Sequence, residues 1–358
     1  MTSTDGGART AETPVPCTAT ILGCAGPELS EDERAFFADA QPWGFILFAR
    51  NVESKDQLHA LTTALRESVG WNAPILIDQE GGRVARLKPP TWRDWEPVGT
   101  LAQRLGNGSP EALWEALMLR YRLIGGELRE VGIDVNCMPL LDVQVPGAHD
   151  IVGDRGLSES PEQVAERGTV ICEALRSVGV LPVIKHLPGH GRATADSHLS
   201  LPVVDAPRDE LEALDFEPFR ALRHEALGMT AHIVYSALDQ EACATQSETV
   251  IKQIIRGAIG FDGLLMSDDL SMKALDGSMA ERTRRSIDAG CDVVLHCNGD
   301  LLEMIDVVDA AGQLSPMGHA RANRALEGRD QPETLDFDAA DAQLAALMEG
   351  KPFDEARL

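Results

Sequence analysis

The sequence predicts an α/β fold, a closed (β/α)8 barrel built as a single domain. Eight short apolar runs of strand length alternate with stretches of helical periodicity, and no sustained repeat or low-complexity linker interrupts them. Such alternation builds right-handed βαβ units on a parallel sheet. Polar residues also gather at the C-terminal ends of the runs: Asp78, Lys185-His186, His232, Asp268-Asp269 and His296. That is where barrel enzymes keep their chemistry. The competing doubly wound open sheet is disfavoured, because no Gly-x-Gly-x-x-Gly follows the first run.

The elements follow in order. Residues 1–16 are polar, rich in Thr, Gly and Ala, and read as a disordered tail. Thr18–Leu22 is the first strand, and Ser30-Glu31-Asp32-Glu33 is a capping box opening a helix to about Asp39. Gly44–Phe48 is the second strand, a helix spans Asp56–Val69, and Ala73–Ile77 is the third strand. Ser109-Pro110 places an N-cap before proline at the first helical position, and Leu113, Leu117, Tyr121, Ile124 and Leu128 share one face. The fourth strand is Asp134–Leu140. Ser160-Pro161 opens the next helix in the same way, and the fifth strand, Leu181–Lys185, leads into a loop of breakers. A helix at Asp209–Leu222, a strand at Gly228–His232, a helix at Thr249–Ala258 and a strand at Leu264–Asp269 continue the alternation. A helix ending at Gly290 and the eighth strand, Cys291–Cys297, complete it, with further helices at Asp300–Ala311 and Ala339–Met348. The barrel and its C-terminal helices thus span 17–350, and 351–358 form a second tail.

The 358 residues are 44% hydrophobic, enough for a large core, and carry a net charge of −25. A surface that acidic repels phosphate backbones and anionic lipids, so neither a nucleic acid nor a membrane is an expected partner. There is no apolar h-region at the start and no run long enough to span a bilayer. The seven cysteines are odd in number and scattered through apolar runs, which suits reduced core thiols in a cytoplasm. A metal pair at Cys291 and Cys297 is disfavoured because both fall in one strand-like run.

The densest chemistry lies in Val183–Pro202. Lys185 and His186 end an apolar strand, Pro188, Gly189 and Gly191 break regular structure, and His190, Asp196 and His198 follow. A carboxylate two residues from an imidazole fixes its tautomer and raises its pKa, making a proton donor near neutral pH. The competing reading is a surface loop with a capping Asp; the tie to Lys185-His186 favours the first. Lys185 also suits a Schiff base with a carbonyl substrate, as in a class I aldolase. His186, His190, Asp196 and His198 are metal-ligand types, although their spacing matches no familiar zinc pattern. Of Asp268 and Asp269, strand alternation points one into the barrel mouth, as nucleophile or base, or else one caps the following helix. Asp78 and Arg86 flank a glycine turn and either clamp a polar substrate or form a surface ion pair. Arg155 is uninformative by itself.

Four blocks together resemble the glycoside hydrolase family 3 β-N-acetylhexosaminidases of the single-domain bacterial type. They are Lys185-His186-Leu187-Pro188-Gly189-His190-Gly191 with Asp196-Ser197-His198, Asp78–Arg86, Ser267–Met272, and Ala231–Tyr235. Leu187 stands where the family has Phe, and Val152–Leu157 departs from the family's usual Ile-Gly-Glu-Arg-Ser-Phe. The resemblance implies a retaining exo-hydrolase of terminal β-linked N-acetylglucosamine, with a muropeptide fragment of peptidoglycan recycling as substrate. It implies Asp268 as nucleophile and His198, paired with Asp196, as acid and base. Asp78, Arg86, Arg155, Lys185 and His186 would hold the sugar. No metal or organic cofactor is implied, and the chain is expected to act in the cytoplasm as a monomer or weak homodimer. A β-glucosidase or a glycoside phosphorylase is the alternative within the class.

Overall fold

The computed structural model describes residues 16–106, 109–145, 147, 151–193, 201–329 and 332–349. The tails expected at 1–16 and 351–358 lie outside these, apart from Pro16. Eight parallel strands close into a barrel in which every strand neighbours its sequence predecessor and successor, and the first pairs with the last. They are β1 (Thr18–Leu22), β2 (Pro42–Leu47), β3 (Ile75–Ile77), β4 (Val135–Asn136), β5 (Leu181–Leu187), β6 (Leu227–Thr230), β7 (Leu264–Asp269) and β8 (Val293–His296). Closure is sealed by Thr20, Ile21 and Leu22 of β1 in register with Val294, Leu295 and His296 of β8. All residues of β1, β2, β3 and β8 are buried, as expected of parallel strands covered on both faces. The predicted (β/α)8 architecture is the observed one.

The helices begin where the caps predict. Ser30 accepts from the Glu33 N–H, and the Glu33 carboxylate returns to the Ser30 N–H, so Glu31–Ala40 starts on a closed capping box. Ser109 and Ser160 cap Pro110–Glu130 and Pro161–Ser177, each with proline in the first turn. No helix among the described residues is long and apolar enough to cross a membrane. All seven cysteines are free and buried.

Three expectations need correction. The fourth strand is two residues long instead of seven: beyond Asn136 the Met138 N–H turns back to Asn136 O at 2.7 Å, and Pro139 has no N–H to give the ladder. An isolated bridge from Leu140 to Lys185 resumes the pairing beyond it. The helix expected at Asp209–Leu222 divides into α-helix at Arg208–Glu210, a π-helical turn at Leu211–Asp215 and α-helix at Glu217–Ala221. Pro218 cannot donate into an α ladder, and Phe216 N–H reaches back five residues to Leu211 O. An additional helix, Pro316–Leu326, follows the signal Ser315-Pro316, with Ser315 accepting from Gly318 N–H.

Candidate active site

A cavity of about 340 Å³ opens at the C-terminal end of the barrel, at the lower edge of the range for small-molecule sites. Asp78, Arg86, Arg155, Lys185, His186 and Asp268 all line it, together with Glu80, Asp142, His190 and Asp269. Asp196 and His198 lie outside the described residues.

Asp78 follows β3 and meets Arg86 through a hairpin, Gln79–Gly81 against Val84–Ala85. The Gln79 side chain clamps that hairpin. Its oxygen accepts from the N–H groups of Arg86 and Leu87 at 2.8 and 3.0 Å, and its nitrogen donates to Leu87 O at 2.9 Å. Arg86 Nη2 then donates to Asp78 Oδ2 at 2.9 Å, and Lys185 Nζ to Asp78 Oδ1 at 3.0 Å. Glu80, fully buried, is the second hub. Lys185 Nζ lies 2.7 Å from its Oε1. Arg155 forks onto both of its oxygens at 2.9 Å, a bidentate pair of the strong type. The chain therefore brings two carboxylates and three cations into one connected cluster.

Burial alone would raise the Asp78 and Glu80 carboxyls. Lys185 and Arg86 outweigh it at Asp78 and hold that group well below the usual carboxylate range. Arg155 and Lys185 do the same at Glu80, at about 2. Burial conversely favours a neutral lysine, but Asp78 and Glu80 lift Lys185 above the ordinary lysine value, and Glu80 lifts Arg155. All of these groups are ionised at neutral pH.

In the same cavity Asp142, with no exposed surface, accepts three hydrogen bonds. His186 Nδ1 lies 2.8 Å from its Oδ2, while the N–H groups of His186 and His190 donate to its Oδ1 at 3.2 and 2.6 Å. The carboxylate fixes Nδ1 of His186 as the donor, leaving Nε2 as the nitrogen for a ligand in the cavity. Burial opposes its charging, yet the His186 charge and the hydrogen bonds hold Asp142 at about 2. His190 is pushed down to about 4 by burial and by the neighbouring His186, so it is neutral at pH 7.

At the end of β7, Asp268 Oδ1 accepts the N–H of Asp269 at 2.8 Å. The Asp269 carboxylate has a different employment. It accepts from Ser271 N–H at 3.0 Å, Ser271 Oγ at 2.5 Å and Cys297 N–H at 3.1 Å. This is a side-chain turn that ties β7 to the residue after β8. The capping role considered for the pair is thus a local turn, and the following helix, Met279–Ala289, takes Ser278 as its cap.

The profile of the glycosyl hydrolase family 3 N-terminal domain matches residues 18–326. The chain belongs to glycoside hydrolase family 3. The family match runs past β8 through the helices Leu301–Ala311 and Pro316–Leu326. The β-hexosaminidase of Neisseria gonorrhoeae is 35% identical over 345 residues, covering 93% of this chain and 94% of that protein. That of Methylococcus capsulatus is 38% identical over 328 residues, covering 89% and 93%. The crystal structure of NagZ from Neisseria gonorrhoeae in complex with N-trifluoroacetyl-D-glucosamine superposes with a TM-score of 0.82 at 33% identity. It covers 93% of this chain and 99% of that one. The protein is accordingly a glycoside hydrolase of the β-N-acetylhexosaminidase type.

Within this family 3 barrel, two strand-end histidines do not line the cavity. His232 is buried beneath Asp269, with Nε2 donating to its carbonyl at 3.0 Å and Nδ1 2.8 Å from Thr245 Oγ1. His296 is buried and bonds the Glu303 carboxylate at 3.0 Å. Among the described residues no group of three metal-ligand side chains is arranged around a common centre. Glu80 and Asp142 are the site residues that sequence reasoning missed. Each carried a signal: Asp142 ends the apolar run Pro139-Leu140-Leu141, and Glu80 sits between Asp78 and Arg86 in a turn too short to send it elsewhere.

Proposed function

We propose that this chain is a retaining exo-β-N-acetylglucosaminidase. The carrying observation is that Asp268 lines one cavity with Asp78, Arg86, Arg155, Lys185 and His186, an array of fixed charges suited to a hydroxyl-rich ring. Asp268 attacks the anomeric carbon while the bond to the aglycone oxygen breaks, and His198 protonates that oxygen. Water, deprotonated by His198, then displaces the Asp268 carboxylate and releases the sugar. An imidazole oriented by Asp196 takes the place of the acid carboxylate of the commoner pair. The five binding residues hold the ring hydroxyls and the N-acetyl group. The chemistry needs no cofactor. The N-acetylglucosamine specificity is supported by the sugar analogue in the Neisseria NagZ complex. The physiological substrate we infer is a muropeptide fragment, GlcNAc linked to 1,6-anhydro-MurNAc, in peptidoglycan recycling. The free, buried thiols support a reducing cytoplasm. Residues 17–350 act as one catalytic unit, alone or as a weak homodimer.

The geometry counts against Schiff-base chemistry at Lys185. That reaction needs a free amine, and Nζ is an ammonium held by two carboxylates at 3.0 and 2.7 Å.

Nitrophenol release from the β-GlcNAc and β-glucose nitrophenyl glycosides, with and without chelator and phosphate, tests the reading. Fast release from the GlcNAc compound alone, indifferent to both additives, is expected. Release from neither overturns it. Asp268→Ala should abolish turnover, whereas Asp269→Ala, which loosens a turn, should retain most of it. Equal losses would remove Asp268 as the nucleophile.

A further inference from the structure

Arg86 keeps its place in the cavity with fewer polar partners than the neighbouring cations. Arg155 forks onto both oxygens of Glu80, and Lys185 bridges two carboxylates. Among the described residues the Arg86 guanidinium makes one hydrogen bond, from Nη2 to Asp78 Oδ2 at 2.9 Å, and its buried Nε has no partner. Asp78 gives it no fork, because Lys185 Nζ takes the other oxygen, Oδ1, at 3.0 Å. A bidentate pair fixes the plane of a guanidinium, whereas a bond through one corner leaves it free to swing. Aiming Arg86 at a ligand therefore calls for a second restraint.

Phe48 supplies one. It follows β2 directly, is half-buried and lines the cavity. The Arg86 guanidinium carbon sits over its ring, 5.0 Å from the centroid, inside the roughly 6 Å at which a guanidinium is drawn to an aromatic face. The ring is itself anchored through its backbone. Phe48 N–H donates to Asn51 Oδ1, and Asn51 N–H returns to Phe48 O, both at 2.9 Å. Asn51, with no exposed surface, donates in turn to Cys24 O and Gly26 O beyond β1, at 3.1 and 2.8 Å. The same turn brings Arg50 back to the ring, 5.2 Å from the centroid, with Nε donating to Cys24 O at 3.0 Å. The ends of β1 and β2 thus fix the aromatic face independently of the hairpin after β3 that carries Arg86.

We propose that Phe48 is a positioning residue for sugar binding, its ring face setting the direction in which the Arg86 guanidinium points into the cavity. The inference rests on Arg86 being a sugar-binding group, as in the proposed function. Phe48 therefore acts on affinity and acts through Arg86, a dependence that a residue merely filling space would not show.

The test uses the full-length enzyme with Phe48→Leu, Phe48→Tyr, Arg86→Ala and the double variant Phe48→Leu/Arg86→Ala. The readouts are kcat and KM on 4-nitrophenyl β-GlcNAc and the inhibition constant of free GlcNAc. Arg86→Ala should raise KM and the inhibition constant roughly 10- to 150-fold. Phe48→Leu, which keeps apolar bulk but removes the aromatic face, should raise both about 3- to 30-fold with kcat within about twofold. Phe48→Tyr should restore both to within about twofold, and Phe48→Leu should add nothing in the Arg86→Ala background. A Phe48→Tyr variant as impaired as Phe48→Leu, a loss confined to kcat, or full additivity with Arg86→Ala overturns the positioning role alone. Unchanged binding in Arg86→Ala overturns the sugar-binding assignment of Arg86 and the inference with it. Should Phe48→Leu not fold, replacing Phe48 by 3,4,5-trifluorophenylalanine keeps the ring and drains its negative face. The same rise in KM is then expected, and an unchanged KM overturns the proposal.

Discussion

Glu80 receives an ammonium and a guanidinium on one fully buried carboxylate, so its charge sets where both cations stand in the cavity. Glu80→Gln keeps the shape but halves the acceptor capacity and leaves Lys185 and Arg155 with less than their full countercharge. Hydrogen bonds to charged groups are worth about 1.5–3 kcal/mol each. We expect a fall in kcat/KM of roughly 10- to 150-fold, read mainly in KM, because in the proposed function the misplaced groups bind the sugar and do not react with it. A loss confined to kcat with KM unchanged would contradict this placement. At this scale the sequence was informative about residue types and poor on partners. Asp78, Lys185 and Asp268 stand at strand ends and were found by position. Glu80 and Asp142 act through neighbours distant in the chain, 105 and 44 residues away, respectively, and no local pattern encodes those pairings. His232 and His296 looked equivalent to His186 from position alone. Their inward burial follows from partners on other elements, Thr245 and Glu303.

The elements were legible where backbone satisfaction is local. Every helix announced by Ser-Pro or by a capping box begins there, because the side chain that caps it lies within three residues. The π-helical turn at Leu211–Asp215 was not legible. It depends on a missing donor at Pro218 combined with the packing of Asp215 against Gly189 in the loop after β5. That turn has a measurable consequence. Burial raises Asp215 to about 6 despite its bond to Arg192, above the ordinary value of about 3.9. Such a group contributes stability below its unfolded pKa, and the contribution is lost as pH rises through 6. His190 has the opposite sign. Depressed to about 4, it contributes stability above the unfolded value of about 6.5 that is lost as pH falls toward 4. Over pH 4–6 the two oppose each other. Asp215→Asn removes only the first, so its melting temperature should fall more steeply with acid across that window than the wild type's. Parallel profiles would show that Asp215 does not take up its proton there.

At the scale of the whole molecule the two ends of the barrel divide the work. The C-terminal end holds charges for a ligand, and the opposite end uses charges to close the structure. Asp134, just before β4, accepts the Ile75 N–H of β3 at 2.8 Å and pairs with Arg66 at 3.0 Å and Arg329 at 2.8 Å. Asp292, just before β8, accepts the Leu265 N–H of β7 at 2.9 Å and pairs with Arg256 at 2.7 Å and Arg321 at 3.0 Å. The same device thus recurs four strands apart, each time joining two neighbouring strands and binding an arginine from the chain beyond β8. Removing the carboxylate leaves two arginines facing a buried gap, and breaking a buried pair costs about 3–5 kcal/mol. Asp134→Ala and Asp292→Ala should each lose about that much in denaturant unfolding, and the double variant should lose the sum, since the sites share no partner. Neither should change KM for a β-GlcNAc glycoside measured well below the unfolding midpoint. A raised KM with unchanged stability would mean that the N-terminal end of the barrel reaches the site through the strands. A loss of stability with KM intact would confirm that conserving the cavity and closing the barrel are separate tasks, performed by separate charges at opposite ends of the same eight strands.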